Sequence, residues 1–270
     1  MDPYAPIGIF DSGLGGLVMT KAFRKAIPDA DFLYLGDTLH VPYGPRSAEA
    51  IYGFTQQAVE YLFGRGCPLV IIACNTASAN ALRRLQQTYL PTAYPDRRVL
   101  GVIVPTIEAA VASGHDNIGL IGTAFTIKSG TYEDELHKLN PNIQLHAKAT
   151  PLLVPLAENN GIQYAEPVLR DYLEPLVDAG IDTLILGCTH YPLFLEAIRS
   201  ILPPHVSIIA QNEVVPPKLV DYLRRHPEIK DRVSKKGTLK ALLTDVTSTY
   251  QNTGEALLGE VMVFEKVELE

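Results

Sequence analysis

The sequence lacks a long apolar run, any cluster of basic residues, and tryptophan. No apolar stretch approaches the roughly 18–20 residues of a membrane-spanning helix, so we expect no membrane segment. The formal net charge is -7, and Lys235-Lys236 is only a short basic pair. Nucleic acids and anionic membranes attract basic surfaces, so neither is an expected partner. The first residues, Met1–Tyr4, also lack the basic region of a signal peptide.

Cysteine is scarce, and its three positions do not resemble a disulfide framework. This usage predicts a reduced, cytoplasmic environment. Cys67 precedes an apolar run and is expected to be a structural core residue. Cys74 and Cys188 instead follow apolar runs, where polar residues come next.

Short continuous apolar runs alternate with amphipathic stretches of helical periodicity. The runs predict strands at Ile7–Phe10, Asp31–Leu35, Leu69–Ala73, Val99–Val104, Asn117–Ile121, Gln144–Ala147, Thr183–Leu186 and Ser207–Ala210. Helices are predicted at Ala48–Gly64, Ala77–Gln87, Thr131–Leu139, Tyr164–Ala179 and Leu193–Ile201. Such alternation predicts an α/β fold whose parallel strands are covered on both faces. Ligands of such folds bind beyond the carboxyl ends of the strands.

The two halves of the chain repeat one pattern. Ile7-Gly8-Ile9 and Ile118-Gly119-Leu120 each open a half, and a strand ending in a cysteine follows at a similar distance. We therefore predict two similar doubly wound lobes with mainly parallel sheets and an active-site cleft between them. Residues 1–98 plus 212–270 are assigned to the first lobe, with Cys74, and residues 99–211 to the second, with Cys188.

The segments that join or follow these lobes are less regular. Pro91–Arg98 is the longest irregular stretch and is interpreted as the crossover between lobes. The tail is predicted to return to the first lobe through helices at Lys218–Arg225 and Gly254–Leu258 and strands at Thr238–Leu243 and Val261–Phe264.

The two strand-end cysteines have the pattern expected of paired acid–base groups. A helix N-terminus stabilises a thiolate, which can abstract a proton, while an opposing thiol can deliver one. Racemisation of a carbon centre requires one such group on each face. Buried cysteines are also ordinary core residues. A metal site that includes His190, or a redox dithiol, is disfavoured because the tight C-x-x-C spacing is missing.

A glycine-rich loop at residues 11–16 follows the first strand and opens a helix. It resembles a dinucleotide fingerprint, but Val18 stands where the third glycine is required. Glycines allow close backbone approach, and helix N-termini bind anions. Asp11 is suited to binding an ammonium group, orienting a thiol, or capping the helix.

Three further features are candidates for the same cleft. The turn at residues 42–45 could bind a carboxylate through its N–H groups, or be simply a turn. Thr123 and Thr126 follow the first strand of the second half, and their hydroxyls are expected in the cleft. His190 could act as an acid or base, orient Cys188, or be a satisfied polar side chain.

Four motifs together resemble the glutamate racemases of the aspartate/glutamate racemase superfamily, over roughly residues 5–260. They are Asp11-Ser12-Gly13-Leu14-Gly15-Gly16, Pro42-Tyr43-Gly44, Ala73-Cys74-Asn75-Thr76-Ala77 and Leu186-Gly187-Cys188-Thr189-His190-Tyr191-Pro192-Leu193. The resemblance implies cofactor-independent interconversion of L- and D-glutamate, without pyridoxal phosphate, that supplies D-glutamate for peptidoglycan. Members are often homodimers, so a homodimer is expected, and the missing C-x-x-C spacing leads us to expect no metal.

The resemblance also implies roles for individual residues. Cys74 and Cys188 would be proton acceptor and donor, exchanging roles with the direction of the reaction. Asp11, His190 and Glu158 correspond to auxiliary acid–base and orienting groups. Substrate binding is implied for Asp11, Ser12, Tyr43, Gly44, Asn75, Thr76, Thr189 and His190.

Departures from the family pattern lie outside the catalytic core and concern the back wall of the site, regulation and the dimer mode, and three alternative functions are weighed separately. Thr150 stands where members often have cysteine, residues 210–217 replace a more usual Asp-Ser sequence, and residues 244–249 diverge. The alternatives are a racemase for aspartate or another amino acid, a one-cysteine decarboxylase, and a two-lobed amino-acid-binding protein without catalysis. Histidine rather than glutamate after Cys188-Thr189 favours glutamate as substrate within the family.

Overall fold

The computed structural model describes residues 4–269. Four residues lie outside the described part of the chain: Met1, Asp2, Pro3 and Glu270. Most of the signal-peptide expectation rests on the first three. The strands are β1 (Ile7–Asp11), β2 (Phe32–Gly36), β3 (Leu69–Ile72), β4 (Arg98–Gly101), β5 (Asn117–Gly122), β6 (Gln144–Ala149), β7 (Thr183–Gly187), β8 (Ser207–Ala210), β9 (Leu239–Leu243) and β10 (Phe264–Lys266).

Helices connect these strands along the chain. They are α1 (Gly16–Ala26), α2 (Ala48–Gly64), α3 (Asn75–Arg84), α4 (Leu90–Ala93), α5 (Ile103–Ala112), α6 (Ala124–Lys128), α7 (Thr131–Leu139), α8 (Leu153–Glu158), α9 (Ala165–Asp178), α10 (Leu195–Ile201), α11 (Gln211–Arg225), α12 (Pro227–Lys230) and α13 (Ser248–Leu258). Among the described residues, none of these helices is long and apolar enough to cross a membrane.

The strands form two parallel sheets, as the alternation of strands and helices predicted. One has six strands in the order β10-β9-β2-β1-β3-β4, and the other has four in the order β6-β5-β7-β8. Each strand pairing within the two sheets is parallel. The predicted α/β fold is confirmed.

The continuous apolar runs are explained by burial on both faces of the sheets. In β3, Leu69 and Ile71 pack into one core cluster and Val70 and Ile72 into another. Successive side chains of a strand point to opposite faces, so a sheet covered twice requires apolar residues at every position. Cys67 is fully buried in one of these clusters, as expected for a structural cysteine.

The first boundary between the predicted lobes is displaced. β4 pairs with β3 in the six-stranded sheet, so the chain leaves that sheet after Gly101 rather than at residue 98. The predicted strand Val99–Val104 also ends early, because Ile103 begins α5. An apolar run can serve as a strand or as the buried face of a helix, and periodicity does not separate the two.

The tail returns to the six-stranded sheet, as predicted, through β9 and β10. The predicted strand Val261–Phe264 was wrong in its bounds, since β10 begins only at Phe264. Val261 and Val263 are 88% and 77% exposed. Pairing with β9 starts at Phe264, opposite Ala241, and so decides where the strand begins.

Candidate active site

The carboxyl ends of strands from both sheets meet at one cavity of about 160 Å³. This is smaller than the roughly 300–1,000 Å³ of sites for drug-sized ligands, and it suits a small molecule. The predicted site residues that line it are Ser12, Tyr43, Gly44, Cys74, Asn75, Thr76, Thr123, Cys188, Thr189 and His190.

Cys74 approaches the cavity from the first sheet, immediately after β3. It caps α3, where its Sγ accepts from the Ala77 N–H at 3.5 Å. The Ser12 hydroxyl lies 3.2 Å from the same sulfur. Burial and the nearby Asp11 carboxylate raise the pKa of Cys74 to about 12, despite the bonds from Ser12 and Ala77. The expected stabilisation of a thiolate by the helix N-terminus is therefore outweighed here, and Cys74 is a neutral thiol.

Cys188 approaches from the second sheet, immediately after β7, and has different neighbours. Its Sγ lies 3.7 Å from His190 Nδ1, and His190 Nε2 lies 3.0 Å from Glu158 Oε1. Burial lowers the pKa of His190, but the bonds to Cys188 and Glu158 outweigh it and raise that pKa well above 6.5. His190 therefore lies between two hydrogen-bond acceptors, the Cys188 sulfur and the Glu158 carboxylate.

Asp11, Thr126 and Glu158 lie behind the cavity wall rather than on it. Asp11 is fully buried, accepts from the Gly13 N–H at 3.1 Å, and accepts from the Thr189 hydroxyl at 3.3 Å. Burial raises its pKa, although the His190 charge opposes this. Direct contact of Asp11 and Thr126 with a ligand stays a prediction. These three residues hold residues that do line the cavity.

A cluster of three threonines joins the two lobes at the cavity. Thr76 Oγ1, at the start of α3, lies 2.9 Å from Thr123 Oγ1 and 3.4 Å from Thr126 Oγ1. Thr123 caps α6 by accepting from the Thr126 N–H at 3.2 Å. The hydroxyls of Thr76 and Thr123 therefore reach the cavity from opposite lobes.

Asp37 supports the cavity but was not among the predicted site residues. Its carboxylate accepts from the Tyr43 hydroxyl at 2.6 Å and from the Thr244 hydroxyl at 2.8 Å. It follows β2 directly, just as Asp11 ends β1, so its strand-end position was an available signal. The predicted turn at residues 42–45 is present, with the Arg46 N–H bonded to the Tyr43 carbonyl at 3.0 Å.

One wall of the cavity is apolar, and sequence reasoning missed it. Val41, Pro42, Pro151, Val154 and Pro155 all line the cavity. These side chains offer no polar atoms, so they suit the methylene groups of a ligand. Thr150 also lines the cavity, and its hydroxyl bonds to the hydroxyl of Tyr191.

The arrangement is suited to proton transfer on two sides of a small molecule. Both sulfurs belong to residues that are 6% exposed, they come from different sheets, and the charge on one affects the other. The flanking hydroxyl and amide groups can bind carboxylates. The two sulfurs have different neighbours, since Ser12 and the Ala77 N–H bond to Cys74 and His190 lies beside Cys188.

Comparison with known proteins identifies the family. Residues 15–215 match the profile of the Asp/Glu/Hydantoin racemase family. A glutamate racemase of a Sulfurihydrogenibium species is 40% identical over 268 residues, covering 98% of this chain and 97% of the relative.

Solved structures agree with that match. Glutamate racemase from Francisella tularensis, determined with D-glutamate, has a TM-score of 0.89 at 32% identity and covers 99% of both chains. Aspartate racemase from Picrophilus torridus has a TM-score of 0.53 at 19% identity, covering 83% of this chain and 99% of that one. The second likeness is one of fold alone. The chain belongs to the Asp/Glu/Hydantoin racemase family, as the resemblance of its motifs predicted.

Proposed function

We propose that the protein interconverts L- and D-glutamate, with Cys74 and Cys188 as paired acid and base and without a cofactor. The observation that carries this proposal is the presence of both sulfurs on one small cavity, each at the end of a strand from a different sheet. Inversion at a carbon requires proton removal on one face and proton delivery on the other. The high identity to glutamate racemases supports glutamate as the substrate.

The proposal assigns a starting role to each sulfur. The starting base, a thiolate, is assigned to Cys188 beside His190, and the starting acid, a neutral thiol, to Cys74 beside Ser12. The thiolate takes the α-hydrogen as a proton and leaves the bonding electron pair on the substrate carbon. The Cys74 S–H bond then breaks as its proton joins the opposite face of that carbon. The two sulfurs have exchanged protonation states, and the reverse reaction starts from there.

The negative charge that develops on the substrate requires fixed donors. The side chains of Asn75, Thr76 and Thr123 line the cavity and can donate to the substrate carboxylates. Such donors are effective because they are already oriented and because a small buried cavity excludes water. Asp11 and Glu158 act one step away, by holding Thr189 and His190.

Aspartate remains the competing substrate. The apolar side chains of Val41, Pro42, Val154 and Pro155 can pack against the methylene groups of a substrate. Glutamate has one methylene group more than aspartate. One methylene in an apolar pocket changes specificity by about 10–200-fold. We expect kcat/KM to favour glutamate by that order when purified protein is assayed with L-glutamate and L-aspartate in parallel.

The biological setting follows from the resemblance of the motifs. We propose that the protein acts in the cytoplasm, as a homodimer, and supplies D-glutamate for peptidoglycan. Light scattering of the purified protein tests the dimer, and growth of a depleted strain on D-glutamate tests the supply role.

The two-thiol assignment predicts that Cys74→Ala and Cys188→Ala each abolish racemisation. A positioned acid or base contributes about 10²–10⁴-fold, so each variant loses at least that much in kcat. Circular dichroism of glutamate measures the rate. Cys67→Ala is the control, because Cys67 packs in the core and away from the cavity, and it should retain activity.

Heavy water provides a second test of the same mechanism. The delivered proton comes from a thiol that exchanges with solvent, so deuterium should enter the product enantiomer before it enters the remaining substrate. Full turnover by either cysteine variant would refute the paired assignment. Binding of glutamate by the wild type without any exchange of its α-hydrogen would instead indicate a binding protein.

A further inference from the structure

Behind the cavity wall, a buried network of side chains centres on Gln211. This residue begins α11 and is 1% exposed. Its carboxamide forms a reciprocal pair with that of Asn75: Asn75 Nδ2 donates to Gln211 Oε1 at 2.7 Å, and Gln211 Nε2 donates to Asn75 Oδ1 at 2.9 Å. The divergent segment at residues 210–217 therefore has a contact with the residue that follows Cys74.

Two hydroxyls of the second lobe determine the orientation of the Gln211 carboxamide. The Thr106 hydroxyl donates to the Val102 carbonyl at 2.6 Å, and the Tyr132 hydroxyl donates to Asn75 Oδ1 at 2.8 Å. Each hydroxyl has one hydrogen, so both can only accept from Gln211 Nε2, at 3.2 Å and 3.1 Å. The two hydrogens of Nε2 are thus shared among three oxygens, those of Thr106, Tyr132 and Asn75. The NH₂ group of Gln211 must face these oxygens, and its Oε1 must face Asn75.

This orientation in turn determines what Asn75 offers to the cavity. Its Oδ1 already accepts from Tyr132 and Gln211, and one of its two N–H groups donates to Gln211. Within residues 4–269, the second N–H group of Asn75 has no acceptor in the protein. Asn75 lines the cavity, and a buried donor without a partner is costly. A ligand carboxylate would satisfy it.

We propose that Gln211 is a positioning residue for the reaction: it holds the Asn75 carboxamide so that one N–H group remains free for a substrate carboxylate. This proposal rests on the proposed glutamate racemisation. It also explains why this hydrogen-bond network connects the two lobes. Thr106 of α5 and Tyr132 of α7 bond to Gln211, and Asn75 begins α3 of the first lobe.

The first test replaces Gln211 with a side chain of similar length that makes no hydrogen bonds. Removing one partner of a buried hydrogen bond should raise KM for glutamate by about 5–100-fold in Gln211→Met. The kcat should change far less, because Asn75 would contact the substrate in the ground state and the transition state alike. Gln144→Met is the matched control, because Gln144 is exposed on β6, and its KM should not change.

A double-mutant cycle separates positioning from a general structural role. In an Asn75→Ala background, Gln211→Met should change KM by less than about 2-fold, because coupled residues are not additive. If the fold-changes in KM of the two single variants multiply in the double variant, the proposal is overturned. If Gln211→Met does not fold, Tyr132→Phe removes the hydroxyl that bonds both amides and should raise KM in the same way. An unchanged KM in folded Tyr132→Phe would then overturn the proposal.

A measurement without substrate distinguishes this proposal from the proposed function. In protein labelled with ¹⁵N-asparagine, the Asn75 side-chain NH₂ signals are identified by their loss in Asn75→Ala. They should shift in Gln211→Met and stay in place in Gln144→Met. Unmoved signals would overturn the positioning role, whereas a wild-type protein without glutamate turnover would overturn only the proposed racemisation.

Discussion

At the scale of single residues, two chemically identical thiols are made different by their neighbours. Cys74 lies beside Ser12 and the buried carboxylate of Asp11, which with burial raise its pKa to about 12. Cys188 lies beside His190, which is itself bonded to Glu158. This asymmetry supports the proposed assignment of the first proton abstraction to Cys188.

The Glu158–His190 bond predicts a specific pH dependence. Glu158 helps to raise the pKa of His190, so Glu158→Gln should lower that pKa. The imidazolium–thiolate pair is then lost at lower pH, and the basic limb of the profile of kcat/KM against pH should move to lower pH. Near neutral pH the loss should be about 10–100-fold, typical of a hydrogen bond to a charged group.

The same bond should affect stability with a defined sign. A raised histidine pKa contributes stability fully below pH 6.5 and loses it as pH rises through the raised value. Glu166→Gln is the control, because Glu166 forms only an exposed pair with Arg170. If the profile of kcat/KM against pH for Glu158→Gln coincides with that of the wild type, the assigned role of His190 is contradicted.

At the scale of elements, the loop between β1 and α1 contacts the second lobe through a glycine. A Cβ atom on Gly15 would collide with Thr189 Oγ1 and lie 2.5 Å from His190 Nδ1. The sequence suggested that glycines of this loop approach a ligand. The structure shows instead that Gly15 approaches the side chains that hold and flank Cys188.

A pair of glycine substitutions tests this contact. Gly15→Ala should displace His190 and lower kcat/KM by about 100-fold, since small misplacements at a reactive centre can cost that much. Gly53→Ala is the control, because Gly53 lies in α2 with open space around it. It should keep full activity and gain about 0.5–1 kcal/mol in the free energy of unfolding. Wild-type kcat/KM in Gly15→Ala would show that the contact is irrelevant to catalysis.

Much of the secondary structure could be predicted because its causes are local. Helix Ala48–Gly64 and strand Ser207–Ala210 have the predicted bounds, since periodicity and turn residues are read along the chain. β10 could not be placed, because its bounds depend on pairing with β9. The strand-end position of Asp37 was visible in the sequence, but its partners Tyr43 and Thr244 are brought to it only by the fold.

At the scale of the whole molecule, ion pairs join helices on the side away from the cavity. Arg83 of α3 pairs with Glu135 of α7, and Lys218 of α11 pairs with Glu108 of α5. Partial burial works against ionisation of Glu135, but the bonds from Lys138 and Arg83 outweigh it and lower its pKa. The pair between α3 and α7 therefore links the lobes at neutral pH.

The interlobe ion pair predicts a modest, pH-dependent contribution to stability. A lowered carboxyl pKa contributes stability above its ordinary value of 4.5 and loses it as pH falls through the folded value. Glu135→Gln should therefore cost less than about 1 kcal/mol at pH 7, because surface pairs are weak. Urea unfolding should show that difference shrinking towards acid pH. Glu174→Gln, at an exposed position of α9, should show no such trend, and a constant difference for Glu135→Gln would contradict the assignment.

The amino-acid sequence by itself determined the parallel α/β architecture, the two strand-end cysteines and the family. Continuous apolar strands are compatible only with sheets buried on both faces, and Cys74 and Cys188 sit in local motifs. Only the tertiary structure decided that Asp11 is buried against Gly13 and Thr189, that Gln211 bonds to Asn75, and that the two thiols have different neighbours. These properties depend on burial and on partners distant along the chain, and no local pattern of residues specifies either.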